Sequence, residues 1–179
     1  GMAPEDGRSA IAAAARSIAD FRVGRIDHET SANVGEISGG TARNVVPEHC
    51  TFSAEVRSHD ERKANELVRE MLETAAFAAS LAECEVESEV RPSFPGYRFR
   101  ESDPAVTLAA AALREAGFEP SYALSGGGAD ANVFNARGLT CVNLANGMTD
   151  IHTPDERIAV SDLDGMVDVT LALVDAAMA

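Results

Sequence analysis

The sequence predicts an α+β protein, on three observations. In several stretches apolar residues recur every three or four positions, the period of a helix with one face in a core. In His49–Arg57 and Glu83–Val90 apolar and polar residues alternate one by one, the period of a strand with one wet face. The two kinds of stretch follow in the order helix–strand–strand–helix–strand. After a break rich in proline and glycine the order becomes helix–strand–helix–strand–helix.

The first helix is expected over about residues 6–21, where Ile11, Ala15, Ile18 and Phe21 form a stripe and Arg16 and Asp20 fall outside it. Thr30 to Ile37 reads as a strand closed by Gly39-Gly40. In the next strand Phe52, Ala54 and Val56 face one side, and Thr51, Ser53, Glu55 and Arg57 the other. Ser58, three residues before Glu61, predicts a capping box at the start of the second helix. Leu67, Val68, Met71, Leu72, Ala75 and Ala79 line that helix's apolar face. Glu83–Val90 then sets Cys84, Val86 and Val90 against Glu85, Glu87 and Glu89. This is an antiparallel sheet with helices on one face: a ferredoxin-like unit without the strand that would precede its first helix.

Pro92, Pro95 and Gly96 predict a boundary between a domain over residues 1–95 and a segment over 96–179. Asp103-Pro104 opens a third helix with the stripe Val106, Ala109, Ala110 and Leu113, and Gly117 ends it. A short strand at about Ser121–Leu124 leads into Ser125-Gly126-Gly127-Gly128 and a brief helix over about residues 129–136. Leu139–Leu144 reads as a buried strand, and Ser161 as the cap of a last helix through Leu163, Val167, Leu171 and Val174. Two strands make a thin sheet, so this half reads as an incomplete α/β layer.

Composition narrows the function. Apolar residues are 45% and charged residues 25%, as in ordinary globular chains. No stretch approaches the roughly 20 apolar residues of a membrane-spanning helix. Acidic residues outnumber basic ones 29 to 15, a formal charge of −14, which repels nucleic acid and anionic membrane surfaces. Three dispersed cysteines, Cys50, Cys84 and Cys141, read as reduced thiols of a cytoplasmic protein. Gly1 before Met2 reads as a cloning remnant.

His152 lies in Asp150-Ile151-His152-Thr153-Pro154-Asp155-Glu156, where an imidazole among carboxylates suits a divalent metal or simply caps a surface turn. A catalytic zinc takes about three protein ligands, so one histidine is not a site. The backbone of Gly126, Gly127 and Gly128 could approach an anion, make a tight turn before Asp130, or dock a peptide-like ligand. Arg57 is shaped to grip a carboxylate at two points, or to pair with Glu55 or Glu36. Asn44, before Val45-Val46-Pro47, is by default a turn residue. No Ser–His–Asp or Cys–His set is evident, and His28, His49 and His59 read as surface or capping residues.

Four stretches together resemble the two-domain zinc exopeptidases, and most of all their tripeptide aminopeptidase (peptidase T) branch. They are Gly39-Gly40-Thr41-Ala42-Arg43-Asn44-Val45-Val46-Pro47, Glu55-Val56-Arg57, Ser125-Gly126-Gly127-Gly128-Ala129-Asp130-Ala131-Asn132 and Ile151-His152-Thr153-Pro154-Asp155-Glu156. The resemblance covers nearly the whole chain and extends to glutamate carboxypeptidase and the aminoacylases. It implies a lid, or dimerisation, domain over residues 1–95 and the last part of a catalytic domain beyond it. It implies His152 as a metal ligand, Asn44 and Arg57 as lid residues that reach the substrate, and Gly126–Gly128 along the substrate backbone. The implied cofactor is zinc, two ions in the parent family, and the implied reaction is aminopeptidase cleavage of short peptides by metal-activated water. The family's HxD motif, bridging Asp, Glu-Glu pair and further acidic ligand are not found in this sequence. The expectation is therefore a truncated or split chain that is inactive alone, lacks an N-terminal catalytic half and self-associates. The alternatives are a non-catalytic dimerisation or carboxylate-binding module, and a small-ligand sensor of ferredoxin-like type.

Overall fold

The computed structural model describes residues 2–178, which divide into two compact units after Pro92. Gly1 lies outside the described residues.

In the first unit a short 3-10 turn at Pro4–Asp6 precedes helix α1 (Ala10–Asp20). The helix starts later than its periodicity suggests because Ser9 caps it, its Oγ accepting the Ala12 N–H at 3.2 Å. Its buried residues are Ala13, Ala14 and Ser17, and Ile11 is exposed. The face is set by packing on the second long helix, where small residues let the backbones approach.

Strand β1 (Gly24–Arg25), which the sequence pattern does not show, pairs antiparallel with β2 (Thr30–Gly39). The turn between them is held by Asp27, whose Oδ1 accepts the N–H groups of Glu29 and Thr30 at 2.9 and 2.8 Å. β2 pairs in turn with β3 (Cys50–Ser58), from Thr30 opposite Ser58 to Gly39 opposite Cys50. A bulge between Val34 and Glu36 takes up Gly35.

Helix α2 (Glu61–Leu81) is capped by Asp60 instead of Ser58. The Asp60 carboxylate accepts the Arg62 and Lys63 N–H groups, while the Ser58 hydroxyl accepts the Asp60 N–H. Phe21, Ala32, Leu67, Met71 and Ala75 form the core, with Ile18, Val34, Phe52 and Val56 packed against it. The rings of Phe21 and Phe52 meet edge to face at 5.7 Å. Leu72 is exposed, and Ala78 joins the buried face in its place.

Glu83–Val90 does not form the expected strand. The sheet of the described residues has three strands in the order β1–β2–β3. In a βαββαβ unit the last strand lies beside the first, and none of the described residues before α1 forms a strand. Without a ladder to join, alternation alone does not order the segment, and Val86 and Val90 stay exposed.

The second unit holds α3 (Pro104–Glu115), α4 (Asp130–Ala136) and α5 (Val160–Met178), with α3 packed on α5. α3 ends in a Schellman motif. Gly117, at φ +85°, donates to the Arg114 carbonyl and Phe118 to the Leu113 carbonyl. Asp103 precedes the helix, but its carboxylate accepts the Arg100 N–H instead of capping. Ser161 sits inside the first turn of α5, and the Ala159 carbonyl takes the first helical bonds. The expected strands at Ser121–Leu124 and Leu139–Leu144 do not pair, and Leu124 and Leu139 are exposed instead of buried. The α+β class holds, with its regular sheet confined to the first unit.

Candidate functional site

Antiparallel register decides what stands on the sheet's outer face. Arg25 lies opposite Ser31, and Ser31 opposite Arg57, so the three form one row across β1, β2 and β3. Asn33 and Glu55 form the next row on the same face, because side chains two residues apart on a strand share a face. These residues and Gly24 line a shallow basin of about 290 Å3. The opposite face carries Ala32, Val34 and Val56 into the core.

Arg57 engages Glu55 through Nε to Oε1 at 3.1 Å and Nη2 to Oε2 at 3.0 Å. Glu36 instead accepts the Ser53 hydroxyl at 3.0 Å. Arg25 has no ion pair or hydrogen bond through its side chain among the described residues, although it is exposed beside that pair. Sequence reasoning missed Arg25 because its only signal is the register of a two-residue strand.

Asn44 is exposed in the turn over residues 42–45, closed by the Val45 N–H on the Ala42 carbonyl. It therefore lies at the far end of the β2–β3 hairpin from Arg57, with the ladder from Ser31–Arg57 to Gly39–Cys50 between them. At roughly 3.3 Å per residue that ladder is on the order of 20 Å long. The structure does not bring the two side chains together.

In the second unit the Gly127 N–H donates to Ser125 Oγ at 3.1 Å. Gly128 abuts Phe94, and a Cβ at that position would clash with the ring. Asn132 and Asn135, also missed, fasten this loop. Asn132 accepts the Ala129 N–H and donates to the Pro95 carbonyl, each at 2.9 Å. Asn135 Nδ2 donates to the carbonyls of Ala131 and Cys141. The signal for Asn132 was its place three residues past the cap position, from which a side chain reaches back to the cap.

His152 occupies a turn closed by the Thr149–Arg157 bridge. Its backbone has φ +66°, its N–H donates to Glu156 Oε2 at 2.9 Å, and its imidazole is exposed. Asp150 is engaged by Arg157 Nη1 at 2.5 Å. Among the described residues no three His, Cys, Asp or Glu side chains converge as metal donors. The donors present do not make a zinc centre, which needs about three of them around one point.

Residues 1–83 match the peptidase dimerisation domain of the M20 family. The first unit is an M20 peptidase dimerisation domain. The chain is similar to aminopeptidase PepT from Bacillus cereus, at 39% identity and a TM-score of 0.84, covering 100% of this chain and 48% of that one. A tripeptidase from Staphylococcus aureus gives a TM-score of 0.88 at 32% identity, covering 96% of this chain and 46% of that one. Protein YqjE of Bacillus subtilis is 36% identical over 99% of this chain and 48% of its own length. The chain thus spans about half the length of these relatives. The M20 dimerisation domain contributes the sheet, the basin and Arg57. No helix of the described residues is long and apolar enough to cross a membrane.

Proposed function

We propose that this chain is the substrate-holding part of an exopeptidase that releases the N-terminal residue of short peptides. The likeness of the whole chain to aminopeptidase PepT and to a tripeptidase carries the reading. In it Arg57 holds the peptide's carboxylate end from the M20 dimerisation domain, with Asn44 a further lid contact. Gly126, Gly127 and Gly128 lie along the substrate main chain. His152 contributes one imidazole to a metal centre whose other ligands come from residues outside this chain. The metal implied by the resemblance is zinc, which would activate the attacking water. Two-metal hydrolysis needs donors beyond the single imidazole of His152, so the chain alone is expected not to hydrolyse peptides. The half-buried, unbridged Cys50, Cys84 and Cys141 fit a reducing compartment such as the cytoplasm.

The deciding measurement is an assay of the purified chain with added zinc or cobalt against trialanine. Turnover at the metal-only background is expected, and cleavage at an enzyme-like rate overturns the claim of inactivity. A calorimetric zinc titration should show no binding stronger than a single imidazole provides. A second reading, a non-catalytic dimerisation or carboxylate-binding module, is favoured by the match of residues 1–83 to the dimerisation domain alone. A sensor with two facing ferredoxin-like units has no support, since the second unit shows no sheet among its described residues.

A further inference from the structure

We propose that the basin on the outer face of the sheet binds the terminal carboxylate of a short peptide between two guanidiniums, with Arg25 as the second. The inference rests on the reading of short peptides as substrates and goes beyond it in assigning Arg25.

The observations are geometric. Adjacent strands lie about 4.8 Å apart, so Arg25 and Arg57, two strands apart in one row, flank a gap of about 10 Å between backbones. The Arg25 side chain is long enough to reach into such a gap, and Ser31 stands in the row between the two arginines. The Ser31 hydroxyl and the Asn33 amide carry no side-chain hydrogen bond to protein among the described residues. Both can therefore donate to an oxygen in the basin.

Charge selects the ligand. The charged residues that line the basin are Arg25, Arg57 and Glu55, a balance of one positive unit. That charge stands on a chain whose formal net charge is −14. A monoanion balances it, whereas a dianionic phosphate would leave an uncompensated charge beside Glu55. Glu55 takes two N–H groups of Arg57 and so holds that side chain along its own strand. The N–H donors of Arg25 are not committed in this way and supply the planar two-point grip that a carboxylate accepts.

The test is an NMR titration of the full chain with trialanine, trialanine amide and inorganic phosphate. Trialanine should shift the amides of Ser31 and Asn33 and the Nε–H of Arg25. The amide form should bind at least about tenfold more weakly, as should trialanine to Arg25→Gln, the scale of one lost hydrogen bond to a charged group. Arg25 is exposed, so an unchanged thermal melt of the variant shows that folding is not the cause. Equal binding of the free acid and the amide, or wild-type affinity in Arg25→Gln, overturns the assignment. So does phosphate binding more tightly than trialanine, or no trialanine binding at all. If Arg57→Gln abolishes binding and Arg25→Gln does not, the peptide-holding role of Arg57 stands and only Arg25 is wrongly assigned. The hydrolysis and zinc measurements on the chain are independent of either result.

Discussion

The carboxylate of Asp27 accepts the Glu29 and Thr30 amide protons and the Lys63 ammonium at 3.0 Å, and Lys63 also meets Glu29 at 2.5 Å. The Glu29 N–H first, and then Lys63, hold Asp27 far below the ordinary carboxylate value of 3.8. The bonds from Glu29 and then Asp27 raise Lys63. With the folded value below the unfolded one, the unfolded chain takes up its proton first as pH falls. The stabilisation by Asp27 is therefore complete above 3.8 and is lost as pH drops through the interval below it. The urea midpoints of wild type and Asp27→Asn should differ most at neutral pH and converge in strong acid. A gap that stays constant down to pH values well below 3.8 would contradict this. At the same scale, Arg57 was legible as a carboxylate-gripping residue from its strand face, but its engagement with Glu55 and its place beside Arg25 were not.

Helix α2 and the β2–β3 hairpin hold the first unit together, because one face of each is apolar and the two faces meet. Leu67, 4% exposed, is at the centre of that contact. Leu67→Ala should cost about 3 kcal/mol in chemical denaturation, within the usual range for a leucine cut back to alanine in a core. Val86 carries an equally clear strand pattern but is 43% exposed in a segment with no ladder partner. Val86→Ala should change stability by less than about 0.5 kcal/mol. A loss comparable to that of Leu67→Ala would mean that Glu83–Val90 packs in a sheet after all. The helices were legible because apolar periodicity acts within a segment, although the side-chain caps expected at Ser58, Asp103 and Ser161 are not the ones used. Asp60 displaced Ser58 as the cap because its carboxylate reaches two amides at once.

In the whole molecule, large apolar side chains remain at the surface. Along α5, Val160, Leu163, Val167, Leu171 and Val174 are all more than half exposed, while Gly165, Val169 and Ala172 pack inward. A stripe of this kind exceeds what a soluble monomer usually shows. Together with the dimerisation domain it predicts self-association. Light scattering should give a mass above the 18.8 kDa of one chain that grows with concentration. Replacing Leu163 and Leu171 by Gln should reduce that growth. If the mass stays high in this variant, association runs through the first unit; a monomer at all concentrations refutes the prediction.

The sequence by itself determined the α+β class, the five helices to within a turn, the β2–β3 hairpin with its wet and dry faces, and the residues that mark M20 kinship. Each of these is written into the order of neighbouring residues. Tertiary structure alone decided that β1 forms, that Arg25 stands in a row with Arg57, and that Asn44 lies at the other end of the hairpin. It also decided that three alternating or apolar segments stay out of any ladder. A strand is completed by hydrogen bonds to another strand, and a site by side chains from several elements. Their presence depends on pairing and register across the chain, which no local pattern records.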